Sequence, residues 1–253
     1  PYTVAHSVEL PATAAPDVWG SLVVCDRTVF LRSSPRTNTV LTIDRRTQAV
    51  AVSELLAPRR GGSMVMGLEV DCGRQTAYVV TAEPQGGAVL AVSTRTGELL
   101  RTYALPPWTA GGFVVDRQVH RGRAGRELVL NGFWPKPDLR TFLSRPAQEA
   151  FAGADLGLRL DLVSGRTTPL FGKAGRTCRA PHQACGRVPF DRDGDGWVLA
   201  DLEGPSLRFT DAEGREVREI PLQNTSFVRS ATAPPPRPDA LDRWAEAHSV
   251  ITQ

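Results

Sequence analysis

An all-β repeat protein is what three observations in this 253-residue sequence predict: a hairpin pattern that recurs four times, a matching pair of strands ahead of each hairpin, and an abundance of turn formers. The hairpins are Val40 to Gln48, Val89 to Gly97, Leu158 to Gly165 and Leu207 to Gly214, each an apolar alternating run that ends in a polar turn. Their turn positions, 48, 97, 165 and 214, are spaced by 49, 68 and 49 residues, the longer interval holding an insertion. Alternation on both sides of a turn that tolerates positive φ is the signature of a β-hairpin. Upstream of the second hairpin lie Gly67 to Asp71 and Ala77 to Val80; upstream of the fourth lie Arg187 to Phe190 and Trp197 to Ala200. Strand–turn–strand twice over, at a period near 45 residues, describes the four-stranded antiparallel blade of a β-propeller. A β-sandwich is the competing architecture, but sandwiches do not usually repeat one hairpin at a fixed interval. With 23 Gly and 20 Pro, the composition also calls for many turns and few long helices.

Taken in chain order, four blades run from about Trp19 to Leu222 within a single domain, 1–253. Val4 to Pro11 resembles the closing strand Leu99 to Pro106, so two expectations stand: a ring on a six-bladed plan that pairs its two termini in one irregular blade, or a piece of a longer propeller. Phe227 to Ala231 and Ser249 to Thr252 are the C-terminal strands available for that pairing. Residues 232–248 between them read as a Pro-rich turn and a short helix. The insertion 135–155 has mild helical spacing and belongs on one rim. Charges are mixed along the chain and sum to +3, which leaves no concentrated basic face for nucleic acid. No apolar run is long enough to span a bilayer.

Val70-Asp71-Cys72-Gly73-Arg74, then Tyr78-Val79-Val80, Val89 to Val92 and Leu100 to Pro106 together resemble a blade of the Yellow/major royal jelly family. Phe30 to Arg36 and Leu156 to Asp161 are similar to other stretches of that family, and Phe190 to Val217 resembles an NHL repeat. Gluconolactonase-like and strictosidine synthase-like proteins share much of the pattern. The resemblance implies a six-bladed propeller with a small-molecule site at one mouth of its channel. It spans metal-dependent lactonases, Pictet–Spengler synthases, dopachrome-converting enzymes and non-catalytic amine binders, so fold alone does not choose a function. The lactonase calcium site uses Asn before Gly; here Gly67, Gly112 and Gly186 follow Met66, Gly111 and Cys185, which supply no hard oxygen ligand.

The sites proposed from the residues are polar groups at the ends of second strands. Glu83, Asn131 and Asp201 are the catalytic candidates, and Arg32, Phe133 and Trp134 the substrate-binding ones. A carboxylate there can serve as general base or hold a cationic amine, and Trp134 beside an amide suits a planar ligand. The structural alternative for each is an ordinary blade turn. Asp191, Asp193 and Asp195 alternate with Gly in half of a calcium-loop pattern, but Leu202 and Leu199 stand where the completing acids belong. A plain turn and a calcium site are both open. Cys178 and Cys185 enclose His182; a local disulfide is the simplest reading, ahead of free thiols or a metal lacking its fourth ligand. Cys25 and Cys72 fall at similar places in successive blades and are expected to be too far apart to bond, hence buried free thiols. None of the four histidines sits near a nucleophile motif, and neither a Gly-x-Ser-x-Gly elbow nor a phosphate loop occurs. The expected activity is therefore non-redox acid–base chemistry on a small organic molecule, outside the cytoplasm, without a required cofactor; a propeller that binds a small ligand, glycan or protein is the alternative.

Overall fold

The computed structural model describes residues 22–32, 40–53, 64–83, 86–106, 114–122, 125–134, 155–172, 189–201 and 206–221. These form sixteen strands in four sheets of four. The first sheet comprises β1 (Leu22–Val24), β2 (Thr28–Arg32), β3 (Val40–Asp44) and β4 (Val50–Ser53), and the second β5 (Met64–Asp71), β6 (Thr76–Glu83), β7 (Gly86–Ser93) and β8 (Leu99–Ala104). The third holds β9 (Val114–Arg121), β10 (Glu127–Trp134), β11 (Asp155–Asp161) and β12 (Thr167–Pro169). The fourth holds β13 (Phe190–Asp193), β14 (Gly196–Asp201), β15 (Ser206–Thr210) and β16 (Glu216–Pro221). Within each sheet, strands pair in chain order. In the first, second and fourth every pairing is antiparallel. This is the all-β, blade-by-blade architecture of a β-propeller, as the repeat predicts.

The four hairpin turns share one chemistry. Gln48, Gly97, Gly165 and Gly214 have φ of 59°, 72°, 75° and 78°, and each donates its N–H back to the carbonyl that opens its turn. Those opening residues are Asp44, Ser93, Asp161 and Asp211, whose side-chain oxygens accept further backbone N–H groups inside the turn. Short polar side chains that bond their own backbone favour turns over strand continuation, so an Asp or Ser stands at or just past the end of the third strand in every repeat. These bonds hold the Asp44 and Asp161 carboxyls below the usual range, through the N–H groups of Thr47 and Ser164 respectively.

Packing divides the chain into two compact units, Pro1–Leu130 with Arg159–Thr167, and Asn131–Leu158 with Thr168–Gln253. In the first unit, β2 and β3 turn Phe30 and Val40 against Val65, Leu68, Val70, Ala77 and Val79, with Val23, Cys25 and Leu90 at the margin. Each such fully buried aliphatic contributes about 1.5–3 kcal/mol. Arg32 crosses the same seam and donates from Nη1 to the Val65 carbonyl, 3.0 Å away. The other face of the first sheet is less covered: Leu22, Val24 and Val52 are more than half exposed.

Cys25 and Cys72 form a disulfide with a Cα–Cα separation of 5.5 Å, which corrects the expectation of free thiols. Cys25 follows β1 and Cys72 follows β5, so both lie in first-to-second-strand turns. Equivalent positions on adjacent sheets are therefore close at this end of the blades, within the range that a disulfide requires. A second seam, within the same unit, is polar. Tyr103 on β8 donates its hydroxyl to the Leu162 carbonyl at 2.9 Å. Arg101 stacks 4.7 Å above the Tyr103 ring and bonds the Leu162 and Val163 carbonyls.

In the second unit, Phe171, Phe190 and Trp197 pack edge to face or tilted, with ring centroids 5.1–6.0 Å apart. Trp197 is fully buried at the start of β14. The fourth sheet inverts the usual alternation on β15. Ser206, Arg208 and Thr210 are buried, while Leu207 and Phe209 are only half-buried. The insertion 135–154, the pair Cys178 and Cys185 with His182, the 232–248 segment and the proposed terminal strands lie outside the described residues. No α-helix occurs among the described residues, so none there is long and apolar enough to cross a membrane.

Candidate functional site

The antiparallel meander fixes where a second strand stops, and the proposed residues fall at those stops. Arg32 is the last residue of β2, Glu83 of β6 and Asp201 of β14, while Asn131 lies within β10, which ends at Phe133 and Trp134. Glu83 and Arg32 belong to the first unit; Asn131, Phe133, Trp134 and Asp201 belong to the second. Their surroundings differ. Arg32 is 1 % exposed and Asn131 3 %, both engaged inside the protein. Asp201 pairs across the ladder with Ser206, and Glu83 with Gly86.

The acidic turn of the fourth sheet is a tight hairpin. Asp193 pairs with Gly196, and Gly194 takes the left-handed conformation at φ 58°. Asp191 lies on β13, where its Oδ1 accepts the N–H of Arg192 at 2.7 Å. Among the described residues, no group of three or more His, Cys, Asp or Glu side chains is gathered as a metal site would need.

A constellation that sequence spacing did not single out lies at the ends of β5 and β9. Glu69 and Asp71 are two residues apart on β5, so their side chains share one face, opposite Leu68 and Val70. Arg121, the last residue of β9, reaches both carboxylates. Its Nε stands 3.1 Å from Glu69 Oε1 and its Nη1 3.1 Å from Asp71 Oδ1. Arg74 adds a backbone N–H to Asp71 Oδ1 at 3.0 Å, holds its own Nε 3.9 Å from Oδ2, and donates from Nη1 to the Gly125 carbonyl. Burial pushes the Glu69 carboxyl above its ordinary value; the Arg121 hydrogen bond and charge oppose this, and the Asp71 charge adds to it. The alternation Leu68-Glu69-Val70-Asp71 was a legible signal that two acids share a face. Their partner Arg121, 52 residues from Glu69, was not. Two carboxylates against two guanidinium groups make a neutral clamp, in which burial favours the protonated form of Glu69.

No family model matches the sequence, and no curated protein does. Among solved structures, the chain is similar to a DUF4221 family member from Bacteroides vulgatus, with 12 % identity and a TM-score of 0.53, over 83 % of this chain and 59 % of that one. It is also similar to a putative exported protein from Bacteroides fragilis (11 % identity, TM-score 0.46, 96 % of this chain and 60 % of the other). The Cps50 (Swd1) β-propeller domain from Myceliophteria thermophila matches with 12 % identity and a TM-score of 0.45, over 78 % and 57 %. The chain thus spans about three fifths of the length of these structures. At such identities the likeness extends to the fold alone.

Proposed function

We propose that this protein is a small-molecule-binding β-propeller that acts on its ligand by acid–base chemistry, as an isomerase, lyase or hydrolase of the Yellow/major royal jelly or gluconolactonase kind. The observation that carries the reading is topological: in three sheets the second strand ends on an ionisable residue, Arg32, Glu83 or Asp201. Strand ends on a rigid scaffold are where reacting groups meet solvent and ligand. A carboxylate at Glu83 or at Asp201 would take a proton from a C–H or O–H acid and return it. In the second unit, Asn131 would orient a carbonyl, and Phe133 and Trp134 would supply an aromatic wall. Calcium at Asp191, Asp193 and Asp195 is an optional structural ion in this reading. The Cys25–Cys72 disulfide supports a secreted or periplasmic setting, where such bonds persist.

A second reading, binding without turnover of a small ligand, glycan or protein, draws on one fact. Burial raises the pKa of the Glu69 carboxyl, and Arg121 already occupies it. A thermal-shift screen with amines, lactones, aromatic metabolites and calcium, followed by turnover assays on each responder, separates the two. Ligand bound to the native state raises Tm by mass action. The enzyme reading expects turnover that falls about 10²–10⁴-fold in Glu83→Gln or Asp201→Asn with the Tm response kept. Binding without turnover supports the second reading, and no response to any class overturns the small-molecule proposal.

A further inference from the structure

We infer that Arg208 and Ser206 form a carboxylate-binding site in the fourth sheet, where Ser206 stands across the ladder from the strand-end Asp201. The side chain of Arg208 is only 10 % exposed. On one side it faces Leu199 across the ladder and on the other Glu219, which is exposed. The nearest carboxylate recorded for it, Glu216, stands 3.7 Å from Nη1. Among the described residues its Nε and Nη2 have no hydrogen-bond acceptor, and the buried hydroxyl of Ser206, two residues away on the same face of β15, has no partner either. A guanidinium withdrawn from water with two donors unmet is unfavourable by itself, and such groups are rare enough to call for a missing acceptor.

In the third sheet the arginine at the equivalent position has an acid of its own sheet as ion-pair partner. Arg159 lies six residues before the turn glycine Gly165, as Arg208 does before Gly214. Arg159 Nε stands 3.2 Å from Glu127 Oε2, and Glu127 opens the second strand of its sheet. In the fourth sheet the residue that opens the second strand is Gly196, which carries no side chain at all. A Cβ there would run into the Thr210 carbonyl, so the close β14–β15 approach excludes any residue that would bring its own carboxylate. The repeat keeps the cation but has no acid at the strand-opening position, which leaves Glu216, 3.7 Å from Nη1, as its ion-pair partner.

The geometry of the unmet donors selects the ligand class. Nε–H and Nη2–H form the lateral edge of a guanidinium, two parallel donors spaced to match the two oxygens of one carboxylate. Ser206 adds a third donor. The ligand is accordingly a small organic acid bound through its carboxylate. The open side of the sheet is β16, five of whose six residues are exposed.

Titrating the purified protein with benzoate, succinate and inorganic phosphate tests this, read by thermal shift and by the Arg208 Nε–H signal in nitrogen-15 NMR. Benzoate or succinate is expected to raise Tm saturably and to move the Nε signal, with phosphate inert. Arg208→Lys keeps the charge but loses the fork, and its carboxylate affinity should fall at least about tenfold. Arg208→Met removes the buried charge, so it should fold at least as stably as the parent without ligand while losing the response. The inference is overturned if neither carboxylate moves the Nε signal, if phosphate alone does so, or if Arg208→Lys responds like the parent.

Discussion

Replacing Cys25 and Cys72 together by serine opens a covalent loop whose ends are 47 residues apart. In the chain-entropy account, a cross-link of that span removes enough freedom from the unfolded chain to stabilise the native state by about 4 kcal/mol. That is a large share of the 5–15 kcal/mol typical of a folded domain. Equilibrium urea unfolding measures it directly. With an m-value of about 2 kcal/mol per molar, the midpoint should fall by about 2 M. The variant's m-value should also rise, because the denatured chain is no longer tethered and exposes more surface. Reductant should reproduce the loss in the parent, since Cys72 is exposed to it. A parallel Cys178→Ser/Cys185→Ser variant separates any contribution from the local bond expected there. A loss below about 1 kcal/mol in the Cys25→Ser/Cys72→Ser protein would refute the reasoning, because the bond would then constrain nothing that the aliphatic seam does not already hold.

Trp197→Ala should cost about 3–5 kcal/mol in the same assay, because it empties the centre of the Phe171–Phe190–Trp197 group; a loss under about 1 kcal/mol would mean that this trio does not support the fourth sheet. Glu69 sets a pH dependence. Its native pKa lies above the ordinary 4.5, so between these values the folded protein holds a proton that the unfolded chain releases, and stability declines as pH rises through the window. Glu69→Gln should flatten that decline in unfolding curves recorded across the acidic range, and an unchanged slope would show that Glu69 is not its source.

Much of this fold was legible because its determinants are local. All four turn positions named from the sequence take positive φ, and the predicted strands Gly67 to Asp71 and Ala77 to Val80 lie inside β5 and β6. Asx-type turn chemistry and alternation act within ten residues, and a reader of sequence sees both. What was misread depends on contact between sheets. Cys25 and Cys72 were judged too distant because position within a blade says nothing about how closely turns of adjacent blades approach. Arg121 gives no local sign that it will meet Glu69 and Asp71. On β15 the buried face is Ser206, Arg208 and Thr210, with the apolar Leu207 and Phe209 only half-buried, which the alternation alone did not reveal. The β13 strand, expected over Arg187 to Phe190, is described as Phe190–Asp193, because the Asp-Gly hairpin closes at Asp193 and Gly196 and leaves the first acids in the ladder. The strand ends bearing Glu83 and Asp201 were read correctly, since a second strand stops where its partner's alternation begins.

Tyr103 and Arg101 grip the main-chain carbonyls of Leu162 and Val163, not their side chains, and Val163 is 69 % exposed. A contact made to the peptide group is blind to the residue that carries it. Position 163 is therefore free to drift between one amino acid and another without loosening this seam, while the buried Leu162 and Tyr103 are not. A deep mutational scan would register the asymmetry as tolerance at Val163 and intolerance at Leu162 and Tyr103.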